Sequence, residues 1–223
     1  MTGIDVRPGR LLDPSLLRDT IHVALRTGGD FAEVFVEDRR SMSALFDDGR
    51  VEELTGGRSR GAGIRVVFGE TTGFAHTADL SPEGLRLSAE AASAAARDGG
   101  GGNRTVVFDD GQAPRPGAVA MMPADVPKAR KVALLEEADR VARGEDDAIR
   151  QVTARYADSR RLIQVANSDG LLTGDDQVRT SFSVSCVAAG DGGMQTGRES
   201  VGHTVGFKLF DRVDVADLAR RAA

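Results

Sequence analysis

The stretch Arg58–Thr77, RSRGAGIRVVFGETTGFAHT, decides the fold of this chain. Its apolar residues recur at every second position, as a half-buried strand requires, and one face is formed by Ala62, Ile64, Val66 and Phe68. Gly69-Glu70 follows where a tight turn is needed, because glycine tolerates a positive φ. Thr72–Thr77 returns as the second strand, so the stretch predicts an antiparallel hairpin.

Three glycines inside this hairpin, Gly61, Gly63 and Gly73, carry a second prediction. Glycine weakens a strand because it costs conformational entropy and offers no side chain to pack. Its presence therefore predicts a bulge or another segment of backbone passing close by.

Toward the N-terminus, the sequence predicts a helix followed by short strands. Asp13-Pro14 supplies an N-cap and a proline at the first helical position. Phe31–Glu37 is predicted as a strand, and Ser43–Phe46 is predicted to pair with Val51–Leu54 across the turn Asp47-Asp48-Gly49. Together with the hairpin, this region gives about five antiparallel strands in succession.

Two further helices have clear boundary signals. Ser81-Pro82-Glu83 begins one with a cap, a proline and a first-turn acid, and small residues then form its inner stripe. A flexible loop is expected at 98–103. Lys128–Arg143 has helical periodicity and ends at Gly144, a natural helix stop.

The last third is predicted to contain strands near 150–157 and 161–166, a turn at 167–170 and a long strand from Val178. Gly190–Gly202 is interpreted as a mobile glycine-rich loop. Val205–Phe210 is predicted as a final strand and Asp214–Ala222 as a helix.

The fold class predicted from this order is α+β, with mostly antiparallel sheets, helices packed on them and two sub-layers. We expect an N-terminal α+β unit at 1–103, an irregular connector at 104–127 and a second α+β part at 128–223, ending within its C-terminal helix.

Composition excludes several classes of protein. The net charge is −5 with acids and bases interspersed, so the chain offers no basic face for direct nucleic-acid binding. No apolar run is long enough for a membrane span or a signal peptide, so no membrane association is expected. The single cysteine, Cys186, fits a reducing cytoplasm and is interpreted as a buried, unreactive thiol.

The run GAGIRVVFGETTGFAHT, with Phe31–Glu37 before it and LIQVANSDGL at 162–171 after it, resembles the N-terminal half of the TldD/TldE (PmbA) family. Members are zinc metallopeptidases, also described as modulators of DNA gyrase. The resemblance runs in order along nearly the whole chain. The residues of the hairpin run favour the TldD type, which carries the zinc.

The zinc motif of that family, HExxxH, does not occur in this sequence. The three histidines, His22, His76 and His203, have no second histidine or glutamate at helical spacing. The resemblance therefore implies zinc in the full-length family enzyme, and we expect no metal ligands and no catalytic residues in this chain.

The resemblance implies that this region gates the entry of substrate and contributes to assembly of the enzyme. The expected partners are a short or unfolded peptide and a TldD- or TldE-type subunit, or a second copy of the chain. The candidate substrate-binding residues are Arg65, Gly73, Phe74 and His76 in the hairpin. A structural alternative for Arg65 is an ion pair with Glu52 or Glu53.

Two alternatives stay open at this point. The chain could be a stand-alone, non-catalytic module that binds and regulates a full-length TldD or TldE subunit. It could also be a fragment of a longer enzyme that folds but has no activity of its own.

Overall fold

The computed structural model describes residues 10–96, 106–110 and 119–223. Within them the chain forms four α-helices and seven strands. In chain order these are α1 (Pro14–Leu25), β1 (Phe31–Asp47), β2 (Arg50–Phe68), β3 (Thr71–Thr77), α2 (Pro82–Ala95), β4 (Asp109–Asp110), α3 (Lys128–Arg143), β5 (Ile149–Asn167), β6 (Leu171–Gly190), β7 (Gly193–His203) and α4 (Val215–Ala222).

The seven strands form one sheet in the order β3-β2-β1-β5-β6-β4, and β7 also pairs with β6. The pairs β2·β3 and β6·β7 are antiparallel, whereas the two residues of β4 run parallel to β6. β1 and β5 are also antiparallel, because Ser168 donates to the carbonyl of Ala32 and Asp48 donates to that of Val152. The predicted α+β class with a mostly antiparallel sheet is confirmed.

The chain divides into two compact units that alternate along the sequence. The first unit comprises Met1–Arg39, Arg58–Pro116 and Arg161–Asp176. The second unit comprises Arg40–Gly57, Gly117–Arg160 and Gln177–Ala223. The long strands β1, β2, β5 and β6 contribute residues to both units, so neither unit is a continuous piece of chain.

The core of the first unit lies between the sheet and helices α1 and α2. Its fully buried residues come from one face of each element and include Leu17, Ile21, Val34, Ile64 and Leu85. Both helices begin as the sequence predicts, because Asp13 accepts from the N–H of Ser15 and Ser81 accepts from that of Gly84.

A buried glutamine fixes the segment that leads into α1. The Oε1 atom of Gln164 on β5 accepts from the N–H groups of Leu11 and Leu12 at 2.9 and 2.8 Å, and its Nε2 donates to the carbonyl of Leu12 at 3.1 Å. Gln164 is only 3% exposed. Its amide therefore satisfies main-chain groups that would otherwise be buried without partners.

Helix α2 lies directly on the backbone of β3. A Cβ added at Gly73 would be 2.0 Å from the carbonyl oxygen of Ala92, so only glycine permits this approach. A Cβ at Gly61 would likewise meet the carbonyl oxygen of Thr77 at 2.7 Å. The prediction that glycines in the hairpin mark close backbone contacts is confirmed at both positions.

The core of the second unit lies between α3, α4 and the sheet. It contains a group of neighbouring aromatic rings, Tyr156, Phe182, Phe207 and Phe210, whose centroids are 5.0–6.2 Å apart in the contacting pairs. Cys186 is buried beside this group, as predicted, and burial raises the pKa of its thiol. A buried thiol with a raised pKa is a poor nucleophile.

One charged pair is buried in the second unit. The Nζ atom of Lys131 on α3 donates to Oδ2 of Asp158 on β5 at 2.7 Å, and the two side chains are only 3% and 10% exposed. The hydroxyl of Tyr156 donates to the same oxygen at 2.7 Å, and burial together with this bond raises the pKa of Tyr156. The periodicity of α3 did not reveal this inward-facing lysine.

The strands are longer than the sequence predicts. β1 is one strand where two were expected, β2 includes Val51–Leu54 and the first strand of the hairpin, and β5 spans both 150–157 and 161–166. Pairing with neighbouring strands holds these segments extended through positions such as Gly56-Gly57 that interrupt the apolar pattern.

Two predictions near the C-terminus are wrong. Residues predicted as a mobile loop, Gly190–Gly202, include strand β7, which pairs with β6 from Gly193 to His203. The predicted strand Val205–Phe210 is instead a 3-10 helix, Gly206–Asp211. Gly206 has a φ of +69°, and the N–H of Phe207 donates to the carbonyl of Met121, so this segment turns onto the core.

The helix boundaries agree closely with the sequence. Helix α3 has the predicted bounds with Gly144 as its C-cap, and α4 begins after Asp214, whose side chain accepts from the N–H of Ala216. The loop expected at 98–103 lies outside the described residues.

The packing of α2 on β3 leads to the first prediction. Replacing Gly73 with alanine places a methyl group against the backbone of Ala92, which cannot move without displacing the helix. We expect the free energy of unfolding to fall by about 3 kcal/mol, measured by urea denaturation. Gly57→Ala is the matched control, because no atom lies within 4 Å of its added Cβ. Equal stability of the two variants would contradict the close packing.

The buried pair leads to the second prediction. Lys131→Met leaves the carboxylate of Asp158 buried without its cation, so we expect a loss of about 3 kcal/mol in the free energy of unfolding. A triple variant, Lys131→Met with Asp158→Leu and Tyr156→Phe, removes every polar member and should recover most of that loss. If the single variant is as stable as the original chain, Lys131 and Asp158 do not form a buried ion pair.

Candidate functional site

Three of the four candidate residues lie on one side of the sheet. In the register of β2 and β3, Arg65 is opposite Phe74 and Gly63 is opposite His76. Val66 and Gly73, which are also opposite each other, are buried on the side that α2 covers. Since successive residues of a strand point to opposite faces, Arg65, Phe74 and His76 lie on the other side of the first unit, here named the open face.

Phe74 is the most exposed apolar residue of the hairpin, at 61%. Its ring leans across to β2, where a Cβ at Gly63 would be only 3.1 Å from it. The rings of Phe74 and His76 are stacked, with centroids 6.3 Å apart and an interplanar angle of 29°. Gly63 thus leaves room for an aromatic pair that presents its outer surface to solvent.

Arg65 turns away from β3 and toward β1. Its guanidinium lies 3.4 Å from Glu33 and 5.5 Å from the ring centroid of Phe31. The expected pairing with Glu52 or Glu53 is therefore wrong. The alternation of β1 puts Phe31 and Glu33 on the open face beside Arg65, while those two glutamates lie further along β2.

The same arrangement is repeated on the other side of β1. Arg161 on β5 donates to Glu37 at 2.6 Å, and its guanidinium lies 5.9 Å from the ring centroid of Phe35. Sequence reasoning did not select these residues. The signal was present in FAEVFVE at 31–37, where the positions between the buried ones alternate phenylalanine with glutamate.

Gly73 is separated from the other three candidate residues. It is buried against α2, and the main-chain atoms of Ala92 and Ala96 occupy the space where a side chain would be. The structure therefore gives Gly73 a packing role against α2, and its contact with substrate stays a prediction.

Strand β3 ends the sheet order, so one of its edges has no neighbouring strand in the described part of the chain. An edge strand presents main-chain N–H and C=O groups that can pair with an added strand. Phe74 and His76 lie on this strand. The candidate site therefore combines an open main-chain edge with exposed aromatic side chains.

The described residues do not fit a metal centre. Among residues 10–96, 106–110 and 119–223, no three His, Cys, Asp or Glu side chains are grouped so that they could hold an ion. His22, His76 and His203 belong to α1, β3 and β7. We assign no hydrolytic step to these residues. In the same part of the chain, no helix is both long and apolar enough to cross a membrane.

Solved structures share this fold. A modulator of DNA gyrase from Bacteroides thetaiotaomicron superposes with a TM-score of 0.73 at 16% identity, over 93% of this chain and 48% of that one. TldE from Thermococcus kodakarensis gives the same TM-score and identity, over 93% of this chain and 46% of that one.

Curated relatives are similar in sequence as well. A metalloprotease from Methanothermobacter thermautotrophicus is 31% identical over 196 residues, which is 86% of this chain and 41% of that protein. A metalloprotease TldD homolog from Haemophilus influenzae is 27% identical over 190 residues, covering 85% of this chain and 39% of that protein. The chain thus spans about two fifths of the length of these relatives.

Two family models match successive parts of the chain. The first domain of the PmbA/TldA metallopeptidases matches residues 32–96, and their central domain matches residues 122–223. The two matches fall in the family's own order and together cover most of the sequence. The chain therefore belongs to the PmbA/TldA metallopeptidase family.

Proposed function

We propose that this chain binds and aligns an extended peptide for a peptidase of the TldD type. The observation that carries the proposal is the position of Phe74 and His76, exposed on a strand whose outer edge has no neighbour in the described residues. A peptide laid along β3 would extend the sheet by main-chain hydrogen bonds, and its side chains would alternate between the two faces.

The side chains of the open face add selectivity without a net charge. Arg65 is paired with Glu33 and Arg161 with Glu37, and each guanidinium also lies over a phenylalanine ring. The four charges cancel, so the face offers aromatic surface and no unpaired cation among these residues. Such a surface favours peptides with apolar or aromatic side chains over strongly acidic ones.

Hydrolysis is assigned to groups that the described residues do not supply. In this proposal the chain gates and positions the substrate, and zinc is held elsewhere in the full enzyme or by a partner subunit of TldD or TldE type. Zinc in such an enzyme would activate a water molecule for attack on the peptide carbonyl. We place this activity in the cytoplasm, because a single, buried and reduced thiol suits a reducing compartment.

The peptide role predicts a specific effect of Phe74. The probe is a fluorescent, unstructured peptide of glycine, serine and phenylalanine, and its binding is measured by anisotropy. Phe74→Ala should weaken binding about fivefold to tenfold, because an exposed ring that stacks on a ligand contributes about 1 kcal/mol.

Leu87→Ala is the matched control for this experiment. Leu87 is also large, apolar and exposed, at 52%, but it lies on α2 and not on the open face or the edge. Its variant should bind like the original chain. A second peptide with N-methyl groups at alternate residues should bind poorly, because it cannot donate to the edge of β3. Equal binding of both peptides would exclude strand addition.

A cleavage assay tests where the hydrolytic groups lie. The purified chain with added zinc should leave an unstructured peptide intact, whereas a full-length TldD-type enzyme should cleave it. Cleavage by this chain at a rate proportional to its concentration would contradict our assignment.

The same assay distinguishes the regulatory alternative. If the chain is a stand-alone module, adding it to a full-length TldD- or TldE-type subunit should change the rate of cleavage. If the chain only presents substrate within its own enzyme, adding it should leave unchanged the rate of cleavage by a TldD- or TldE-type subunit from another enzyme.

A further inference from the structure

The second unit has a polar sheet surface that the peptide role does not use. In β6, Phe182 and Val184 are buried in the core that α3 and α4 cover. Because successive residues of a strand point to opposite faces, Ser181, Ser183 and Ser185 lie on the other side of the sheet. This side of the second unit is defined by these three serines and is named the serine face.

Strand β7 adds an arginine to the serine face. In the register of β6 and β7, Arg198 is opposite Ser185. The residue before it, Gly197, is on the side of α4, because a Cβ added there would be 2.0 Å from the carbonyl oxygen of Ala222. Arg198 therefore points away from α4 and stands beside the serines, exposed to solvent.

Strand β5 adds a second arginine from the other side of β6. The hydroxyl of Ser181 lies 3.5 Å from the carbonyl oxygen of Ala157, so these two residues are neighbours across the strand pair. Two residues further along these antiparallel strands, Arg155 is then beside Ser183. Both chain neighbours of Arg155 are buried and its own side chain is exposed, which puts it on the serine face.

The two arginines flank the serines at a distance that one small ion can bridge. Because Ser183 is opposite Ser200, Arg155 and Arg198 are offset by two residues along their strands. Two strand spacings of about 4.8 Å and two residues of about 3.4 Å put their Cα atoms about 12 Å apart. Arginine side chains are long enough to meet above the serines from that distance.

The free groups on this face are hydrogen-bond donors. Neither Arg155 nor Arg198 has an ion pair or a hydrogen bond through its guanidinium in the described part of the chain. The hydroxyl of Ser183 also has no partner there, and that of Ser185 reaches only the carbonyl of Gly197, at 3.4 Å. Since a guanidinium has five N–H donors and no acceptor, the ligand that suits this face is rich in acceptors.

Carboxylates around the serine face have other partners. Asp47 on β1 accepts from Thr153 at 2.7 Å and from Gln151 at 3.1 Å. Glu199 on β7 is on the side of α4, where Arg221 lies 3.8 Å away. The positive charges of the two arginines are therefore not balanced by these neighbours, and the ligand that suits the face is an anion.

We propose that the serine face binds a phosphate group between Arg155 and Arg198. A phosphate monoester has three acceptor oxygens and a charge of about −1.5 to −2 at neutral pH, which matches two guanidiniums. A carboxylate has one charge and two oxygens, which one guanidinium already satisfies in a forked pair. This inference does not rest on peptide binding, because Phe74 and strand β3 belong to the first unit.

An NMR titration of the isotope-labelled chain tests the site and the ligand together. Inorganic phosphate and phosphoserine are added in separate series, with sodium chloride keeping the ionic strength constant. Backbone amides next to Arg155, Ser183 and Arg198 should shift and saturate, with a Kd on the order of 1 mM for the tighter probe. Acetate should bind at least about tenfold more weakly, because it can occupy only one guanidinium.

Arg155→Gln and Arg198→Gln should each raise the Kd about tenfold, because each removes one charged set of donors from the phosphate. The double variant should show no saturable shift. Arg140→Gln is the matched control: Arg140 is exposed and has no side-chain partner in the described residues, but it lies on α3. Its variant should bind phosphate like the original chain.

Three outcomes would overturn the proposal. Shifts that grow with phosphate without saturating would show no site, and a Kd unchanged in both arginine variants would place the site elsewhere. Equal affinity for acetate would exclude phosphate as the preferred group. If phosphate binds as described while the fluorescent peptide does not, only the proposed function is lost.

Discussion

The contact between helix α2 and the backbone of β3 is the constraint on which the first unit depends. Because the carbonyl oxygen of Ala92 lies 2.0 Å from the position of a Cβ at Gly73, the helix covers that side of the hairpin at this position. Strand alternation then directs Phe74 and His76 to the other side. Gly73 thus permits the close packing that leaves Phe74 and His76 on the uncovered side of the hairpin.

Local signals were sufficient for the helices and for the hairpin. Asp13, Ser81 and Gly144 cap or end their helices through groups within a few residues of themselves, so their effect can be inferred without knowing the fold. The alternation of Ala62, Ile64 and Val66 similarly needs only one buried face. These features were predictable because each depends on a short segment of chain.

Features that depend on distant neighbours could not be predicted in this way. Residues 193–203 have little apolar alternation of their own and are mostly exposed, so only their pairing with β6 makes them a strand. The partner of Arg65 was missed for the same reason, because the register of β1 against β2 brings in Glu33 from another strand. Burial of Lys131 depends in turn on Asp158 of β5, which α3 alone does not reveal.

The charges of the open face bear on the peptide role that we propose for it. Arg65 and Arg161 each have a carboxylate partner and a phenylalanine ring, so the charge of each guanidinium is already balanced by a neighbour. What remains accessible is the flat surface of Phe74 and His76 beside a main-chain edge, and main-chain groups are common to every peptide. In the proposed role, such a surface would recognise main chain and apolar shape in preference to charge, as strand addition does.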